Sequence, residues 1–268
     1  MNSITNGIRL IVLLTGLACG WQSIAAEFSV GPNGKGISIE GEIRPGDYEV
    51  FRDKWLLPKV LSRTRVDIDA VYLNSPGGSV RDALKFGALF SENLSTTFVL
   101  RGNRCYSACT IIWAGGADRM LEIDAHLGFH RLSSTSKDVD IKKSKAQIAP
   151  IMQTVTAYFR EVGFPTLLID KMNETPPSDM FLVDLRWLLE HKLDRTVAVQ
   201  PAYLDVVEKQ CGTDPTLALS KQNRAITSDD RQAYLSWALC GEGIKDANRE
   251  IAYKKTIQVM MKSYKGKR

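Results

Sequence analysis

Tyr72-Leu73-Asn74-Ser75-Pro76-Gly77-Gly78-Ser79 and, about thirty residues later, Cys105-Tyr106-Ser107-Ala108-Cys109 decide how this chain is read. Val66 to Leu73 reads as a strand. Asp67 and Asp69 alternate with apolar residues at its start, and Ala70-Val71-Tyr72-Leu73 is continuous, as where both faces become buried. The strand runs straight into the Pro-Gly-Gly turn. Beyond it, Val80, Ala83, Leu84, Gly87 and Ala88 mark one face of a helix. The second segment repeats the pattern, with a strand over 96–100 and a helix over 107–114. Two further strands are predicted over 120–123 and 126–132. Alternating strands and helices predict an α/β fold with a parallel sheet and right-handed crossovers. Both turns fall at carboxyl ends of strands, where such folds place their sites.

Further out, Ile37 to Ile43 alternates like a strand and Arg44-Pro45-Gly46-Asp47 turns the chain. Asp47 is placed to cap a helix from Tyr48 to about Leu57, which Pro58 interrupts. An amphipathic helix is predicted over 144–162, with Ile148, Ile151, Val155 and Phe159 on one side. Ser144 and Gln147 have capping-box spacing, and Pro150 either kinks the helix or marks its true start. A helix over 183–189 and a short strand over 196–199 follow. Pro201 marks a boundary, and the remainder reads as three helices. The plan is therefore a leader over 1–26, a main domain over 27–200 and a helical extension over 201–268.

The leader has Arg9, an apolar run from Leu10 to Ala18 and small residues at Ser23-Ile24-Ala25-Ala26, the pattern of a secretory signal peptide. An exported, periplasmic protein is expected; an uncleaved membrane anchor and lipidation at Cys19 are the alternatives. Removing the leader takes one of five cysteines and leaves Cys105, Cys109, Cys211 and Cys240, an even number in an oxidising compartment. Four cysteines allow three pairings. Proximity favours Cys105 with Cys109 and Cys211 with Cys240, the latter stabilising the extension by roughly 3 kcal/mol. The net charge of +5 is modest. Basic residues gather only at the end, at Lys254, Lys255, Lys262, Lys265, Lys267 and Arg268, as a solvated helix face or a weak contact with an anionic membrane surface. No aromatics interleave with them, so nucleic acid is not an expected partner.

Ser107 sits between a strand and a helix, so its hydroxyl projects from a tight turn beside the free N–H groups of the helix's first turn. An oxyanion formed by attack on a carbonyl would meet the N–H of Ala108. The Gly77-Gly78 turn is the source of a second donor, because glycine lets backbone approach a ligand closely. The base must be one of His126, His130 and His191. The plain readings compete: a helix N-cap for Ser107, an ordinary turn for Pro76-Gly77-Gly78, a packed histidine for His130. A zinc site from Cys105, Cys109, His126 and His130 is disfavoured, since a strand would separate the histidines by roughly 13 Å. No metal or other cofactor is expected.

From about Ile37 to Val199 the sequence resembles the proteolytic subunit of the Clp protease, in the ClpP/crotonase superfamily. It most resembles the exported ClpP-like bacterial branch with a Cys-x-Ser-x-Cys segment. The matching runs are Tyr72 to Gly78, Cys105-Tyr106-Ser107-Ala108 with Ala114-Gly115-Gly116, Gly128-Phe129-His130, and Asp179-Met180-Phe181-Leu182. The resemblance implies a spiral of β-β-α units and a serine peptidase. Ser107 is then the nucleophile, His130 the base, Asp179 the acid that orients it, and the N–H groups of Gly78 and Ala108 the oxyanion hole. Gly77 and Ser79 would line the substrate. Asp170 and Asp184 lie near enough in sequence to compete with Asp179. The implied substrates are peptides or unfolded protein, cleaved without an ATPase partner, by a homo-oligomer assembled through the 144–162 helix. A non-catalytic peptide- or partner-binding protein and an acyl-CoA enzyme are the alternatives. The chain departs from the family in the two cysteines flanking Ser107 and in the last seventy residues.

Overall fold

A computed structural model of the chain describes residues 26–62, 68–132, 141–216 and 226–265. The leader with Arg9 and Cys19, the first residues of the 66–73 strand, and Lys267 and Arg268 lie outside the described residues.

Among the described residues eight strands form two sheets: β1 (Glu27–Val30), β2 (Ile37–Glu40), β3 (Ala70–Asn74), β4 (Thr96–Val99), β5 (Arg104–Tyr106), β6 (Asp118–Leu121), β7 (His126–Phe129) and β8 (Phe181–Val183). The larger sheet has the order β1-β2-β3-β4-β6, and the smaller β5-β7-β8. Strands β2, β3, β4 and β6 are parallel, as are β5 and β7; β1 and β8 are antiparallel edges. The chain gives β4 to the large sheet and β5 to the small one, then forms helix α4 (Ala108–Ala114). It then gives β6 and β7 to the same two sheets in turn, before helix α5 (Ile141–Glu161). This is the β-β-α spiral. A single bridge between Ser75 and Cys105 joins the end of β3 to the small sheet.

Helix α3 (Val80–Glu92) buries Ala83, Phe86, Gly87, Leu89 and Phe90; of the face expected from spacing, Ala83 and Gly87 are buried, Val80 and Leu84 half-buried and Ala88 exposed. Phe86 meets Phe51 and Phe28 at centroid distances of 5.4 and 5.8 Å. The backbones of α3 and α4 approach so closely that a Cβ on Gly115 would strike the carbonyl of Gly87. Arg119 on β6 is almost fully buried and donates to the carbonyls of Gly116, Val197 and Val162 at 3.1, 3.2 and 2.6 Å. Burial lowers its pKa to about 10, which leaves it charged at neutral pH.

Several local expectations are corrected. The helical stretch passes through Pro58: α1 (Asp47–Phe51) continues as a π-turn (Arg52–Leu56) into α2 (Leu57–Leu61). The looser turn immediately before the proline accommodates its missing N–H. Gly46, not Asp47, is the N-cap of α1, and the Asp82 carboxylate accepts the N–H groups of Gly46 and Tyr48 at 3.0 and 3.1 Å. Helix α5 begins at Ile141 and contains Pro150, so Ser144 lies inside it rather than capping it. Val183 belongs to β8 because it pairs with Leu127, and α7 is shorter, Leu185–Glu190. The β-branched run near Thr196 forms the short helix α8 (Asp194–Ala198) instead of a strand, leaving Val199 a lone bridge to Asp118.

Between β7 and these elements α6 spans Thr166–Glu174. In the extension the described residues form α9 (Pro201–Cys211) and the long α10 (Ser228–Lys265). Cys211 and Cys240 are bonded, with Cα atoms 5.9 Å apart, and Trp237 Nε1 donates to the Gly212 carbonyl at 2.7 Å. Buried Lys245 of α10 pairs with Asp118 at the start of β6 and with Glu242 at 2.9 Å. Arg249 donates to the Leu94 carbonyl just before β4 and lies 3.6 Å from Asp69 just before β3. Helix α10 therefore crosses the amino-terminal end of the parallel strands. The opposite end carries the site.

Candidate active site

Ser107 stands between β5 and α4 with φ 53° and ψ −124°, a backbone conformation uncommon for a residue bearing a Cβ. Its N–H donates to the Gly128 carbonyl at 2.8 Å, and its own carbonyl accepts from the N–H and hydroxyl of Thr110 at 3.0 and 2.7 Å. A plain N-cap serine would turn its oxygen onto the second or third amide of the helix. Ser107 makes no such bond. Its position fits a displayed hydroxyl better than a cap.

Cys105 on β5 and Cys109 in the first turn of α4 are bonded, both fully buried, with Cα atoms 5.1 Å apart. The bridge forms because Cys105 precedes the helix. It also ties up both sulfurs, so neither is a free thiolate for a metal.

The glycine turn lies against Ser107. Its amides alternate in direction: the Gly77 carbonyl accepts from Ile43 at 2.8 Å, and the Ser79 N–H donates to the Ile43 carbonyl at 2.6 Å. Gly78, between them, forms the isolated parallel bridge to Ile43. Gly77 has φ 101°, and a Cβ there would come within 2.7 Å of Ser107 Cβ and 3.0 Å of the Ala108 nitrogen. At Gly78, φ 133°, a Cβ would strike the Ile43 carbonyl. Both positions therefore require glycine. The N–H of Ala108, at the first helical position, has no partner within α4. Ala108 lines one slot with Ser107, and Gly78 lines the neighbouring cavity. Ser79 is otherwise engaged: it is the N-cap of α3, accepting from the Asp82 N–H and donating its hydroxyl to that carboxylate at 2.5 Å.

His130 follows β7 and lines, together with Ser107, Ala108 and Thr110, a slot of about 10 Å³, room for a single water-sized group. Val155 of α5 and Met172 of α6 close its floor. The Nδ1 of His130 is 2.8 Å from the Arg131 carbonyl. A carbonyl only accepts, so Nδ1 carries the proton and Nε2 is left with its lone pair. The other two histidines are placed elsewhere: His126 opens β7 opposite Arg104, and His191 stacks on Trp187 at 3.9 Å.

Asp179 is exposed, and its carboxylate accepts the N–H of Met180 at 2.8 Å rather than a proton from His130. The ladder of β7 with β8 ends at Phe129 and Phe181; beyond it Arg131 donates its N–H to the Thr175 carbonyl at 3.0 Å, and Asp179 lies in the intervening turn, its N–H on the Pro176 carbonyl at 3.0 Å. Asp184 is occupied as the N-cap of α7, accepting from Trp187 at 2.7 Å. Asp170 is exposed on α6.

Beside the slot opens a cavity of about 760 Å³. Gly78 and Ser79 border it, Ile43, Val80 and Leu84 form one apolar wall, and Ile148 and Ile151 of α5 the other. Leu132 belongs to both the slot and this cavity. Sequence reasoning found neither Leu132 nor the pairing of α3 with α5 across a groove. The apolar spacing of both helices was visible, but it does not distinguish a core face from a groove wall.

No family model and no curated protein matches this sequence. Solved structures do. A ClpP1 mutant from Listeria monocytogenes is 18% identical, with a TM-score of 0.43 over 58% of this chain and 86% of that one. The 1510-N membrane-bound stomatin-specific protease is 14% identical, with a TM-score of 0.40 over 64% of this chain and 83% of that one. A second mutant of that protease, in complex with a substrate peptide, is 15% identical with a TM-score of 0.40, over 57% and 70% of the two chains. In fold, this chain is similar to ClpP.

Proposed function

We propose that this protein is an exported, ATP-independent serine peptidase that hydrolyses peptides or unfolded protein in the periplasm. Ser107 Oγ attacks the scissile carbonyl while Nε2 of His130 takes its proton, and the N–H groups of Gly78 and Ala108 receive the oxyanion. The proton passes to the leaving amine, and water then hydrolyses the acyl-enzyme by the same steps in reverse roles. Asp179 is the acid of the triad. In that role it replaces the Arg131 carbonyl on Nδ1 when substrate binds, and it stabilises the imidazolium that proton transfer creates. The groove between α3 and α5 takes the peptide, which explains an apolar cavity ending at an oxyanion site. Assembly into a homo-oligomer through α5 is part of the same reading.

The observation that carries the proposal is the Ser107 backbone. A serine held at positive φ, making no cap bond, packed against a glycine and sharing a slot with a histidine suits nucleophilic attack; a structural serine has no need of that strain. One observation favours the second reading, a peptide-binding protein without hydrolysis: the Asp179 carboxylate is bonded to Met180 and not to His130. A fluorophosphonate probe separates the two. The peptidase labels on one serine, and Ser107→Ala abolishes labelling. If the wild type stays unlabelled where a control protease reacts, or if Ser107→Ala labels equally, the enzyme reading is wrong.

A further inference from the structure

Cys105 and Cys109 flank Ser107 on either side, and their bond closes a five-residue ring around it. From this placement, and resting on the reading of Ser107 as nucleophile, we infer that the disulfide is the positioning device of the active site: it holds Ser107 in the strained conformation from which it reacts.

Ser107 has two ways to relax. Strand β5 can lengthen through it, giving an extended φ, or helix α4 can grow backward through it, giving a helical one. Each removes the positive φ, worth roughly 1–3 kcal/mol for a residue with a side chain. Each also moves the two cysteines apart. An extended segment of four residues spans roughly 13 Å, against the 5.1 Å between their Cα atoms. In a regular helix, residues four apart have Cβ atoms about 5–6 Å apart, beyond the roughly 3.5–4.5 Å that a disulfide needs. A bonded Cys105–Cys109 pair is therefore compatible with the sharp turn and with neither an extended nor a helical run through both cysteines.

The hydrogen bonds of Ser107 to Gly128 and Thr110 favour the same turn. Those bonds can exchange with water where the slot opens, whereas the covalent link cannot. Gly77 gives the other half of the argument. It packs against Ser107 Cβ and the Ala108 nitrogen, so any shift of the turn also displaces the amides of the oxyanion site. The two sulfurs are wholly buried and touch no substrate. They act through Ser107.

The test compares Cys105→Ala/Cys109→Ala with wild type and with Cys211→Ala/Cys240→Ala, which loses the other disulfide far from the site. Each is scored, per folded molecule, for the maximal rate of phosphonate labelling at Ser107 and separately for probe affinity. A clamp predicts that the first variant's maximal rate falls about ten-fold or more, as the competent turn becomes a minor population. Its affinity stays within about two-fold, because the groove is untouched, and the Cys211/Cys240 variant labels as wild type does. Equal per-molecule rates in wild type and Cys105→Ala/Cys109→Ala overturn the inference and leave the peptidase reading intact. So does an equal loss in both variants, which marks a general structural effect. An unlabelled wild type overturns the peptidase reading itself.

Should the first variant not fold, the Cys211→Ala/Cys240→Ala protein is treated with dithiothreitol, which becomes a cyclic disulfide as Cys105–Cys109 is reduced to two thiols. The same fall in rate is predicted, with recovery on reoxidation; an unchanged rate in the fully reduced protein refutes the clamp.

Discussion

Replacing Gly77 by alanine adds one methyl group where the proposed oxyanion site meets Ser107. The new Cβ would lie 2.6 Å from the Tyr106 carbonyl, 2.7 Å from Ser107 Cβ and 3.0 Å from the Ala108 nitrogen. Two of these neighbours are backbone, so the turn itself must move. The residue's φ of 101° adds conformational strain of roughly 1–2 kcal/mol for any residue with a Cβ. With the collision, Gly77→Ala should cost about 2–4 kcal/mol of stability. Its larger effect is on rate. Displacing the turn withdraws the Gly78 amide, and losing one such donor costs about 3 kcal/mol in the transition state, or 10²–10³-fold. Gly102→Ala is the control. Gly102 also has positive φ, 76°, but a Cβ there meets nothing within 4 Å. It should lose roughly 1–2 kcal/mol of stability and label as wild type does. Urea unfolding and phosphonate labelling of both variants give the comparison. A folded Gly77→Ala protein that labels at the wild-type rate would refute the placement of the oxyanion site.

Asp179→Ala should lower kcat about a hundred-fold or more with KM little changed, because the imidazolium loses its counter-charge; steady-state peptide hydrolysis decides, and a loss under about three-fold would assign the orienting role to the Arg131 carbonyl alone. Ser79→Ala removes the cap of α3 and should destabilise the fold by about 1 kcal/mol in denaturant unfolding. Lys245→Ala should cost about 2–3 kcal/mol, below the usual range for a buried pair because Asp118 and Glu242 can partly hydrate. Lys245→Met should cost less, since it fills the space without burying a charge, and thermal unfolding of the two variants ranks them.

The strand-turn-helix units were legible because each is a local signal. The apolar run into Pro76-Gly77-Gly78 and the small residues around Ser107 fix a turn without knowledge of distant contacts. The same holds for the Cys105–Cys109 bond, whose partners are four residues apart. What was misread depends on contacts distant in sequence. Val183 looks helical from its neighbours but pairs with Leu127 on β7. The Asp82 carboxylate that caps α1 comes from another helix. Asp47 had the right type for a cap but sits one residue inside. The groove draws on the turn after β2, on α3, on α5 and on Leu132; no segment alone announces it. Asp179 shows the limit in another way. It lies in the turn before β8, and its carboxylate accepts from Met180, a local contact that spacing does not encode.

The proposed convergence of Ser107, His130 and two amides on one point is tested most directly by a crystal structure of the protein after reaction with a small phosphonate. The account predicts a covalent bond from Ser107 Oγ to phosphorus, a phosphonyl oxygen about 2.7–3.1 Å from the N–H groups of both Gly78 and Ala108, and His130 Nε2 within hydrogen-bond reach of the adduct. An adduct on another residue, or an oxygen turned to solvent with His130 swung away, would contradict it.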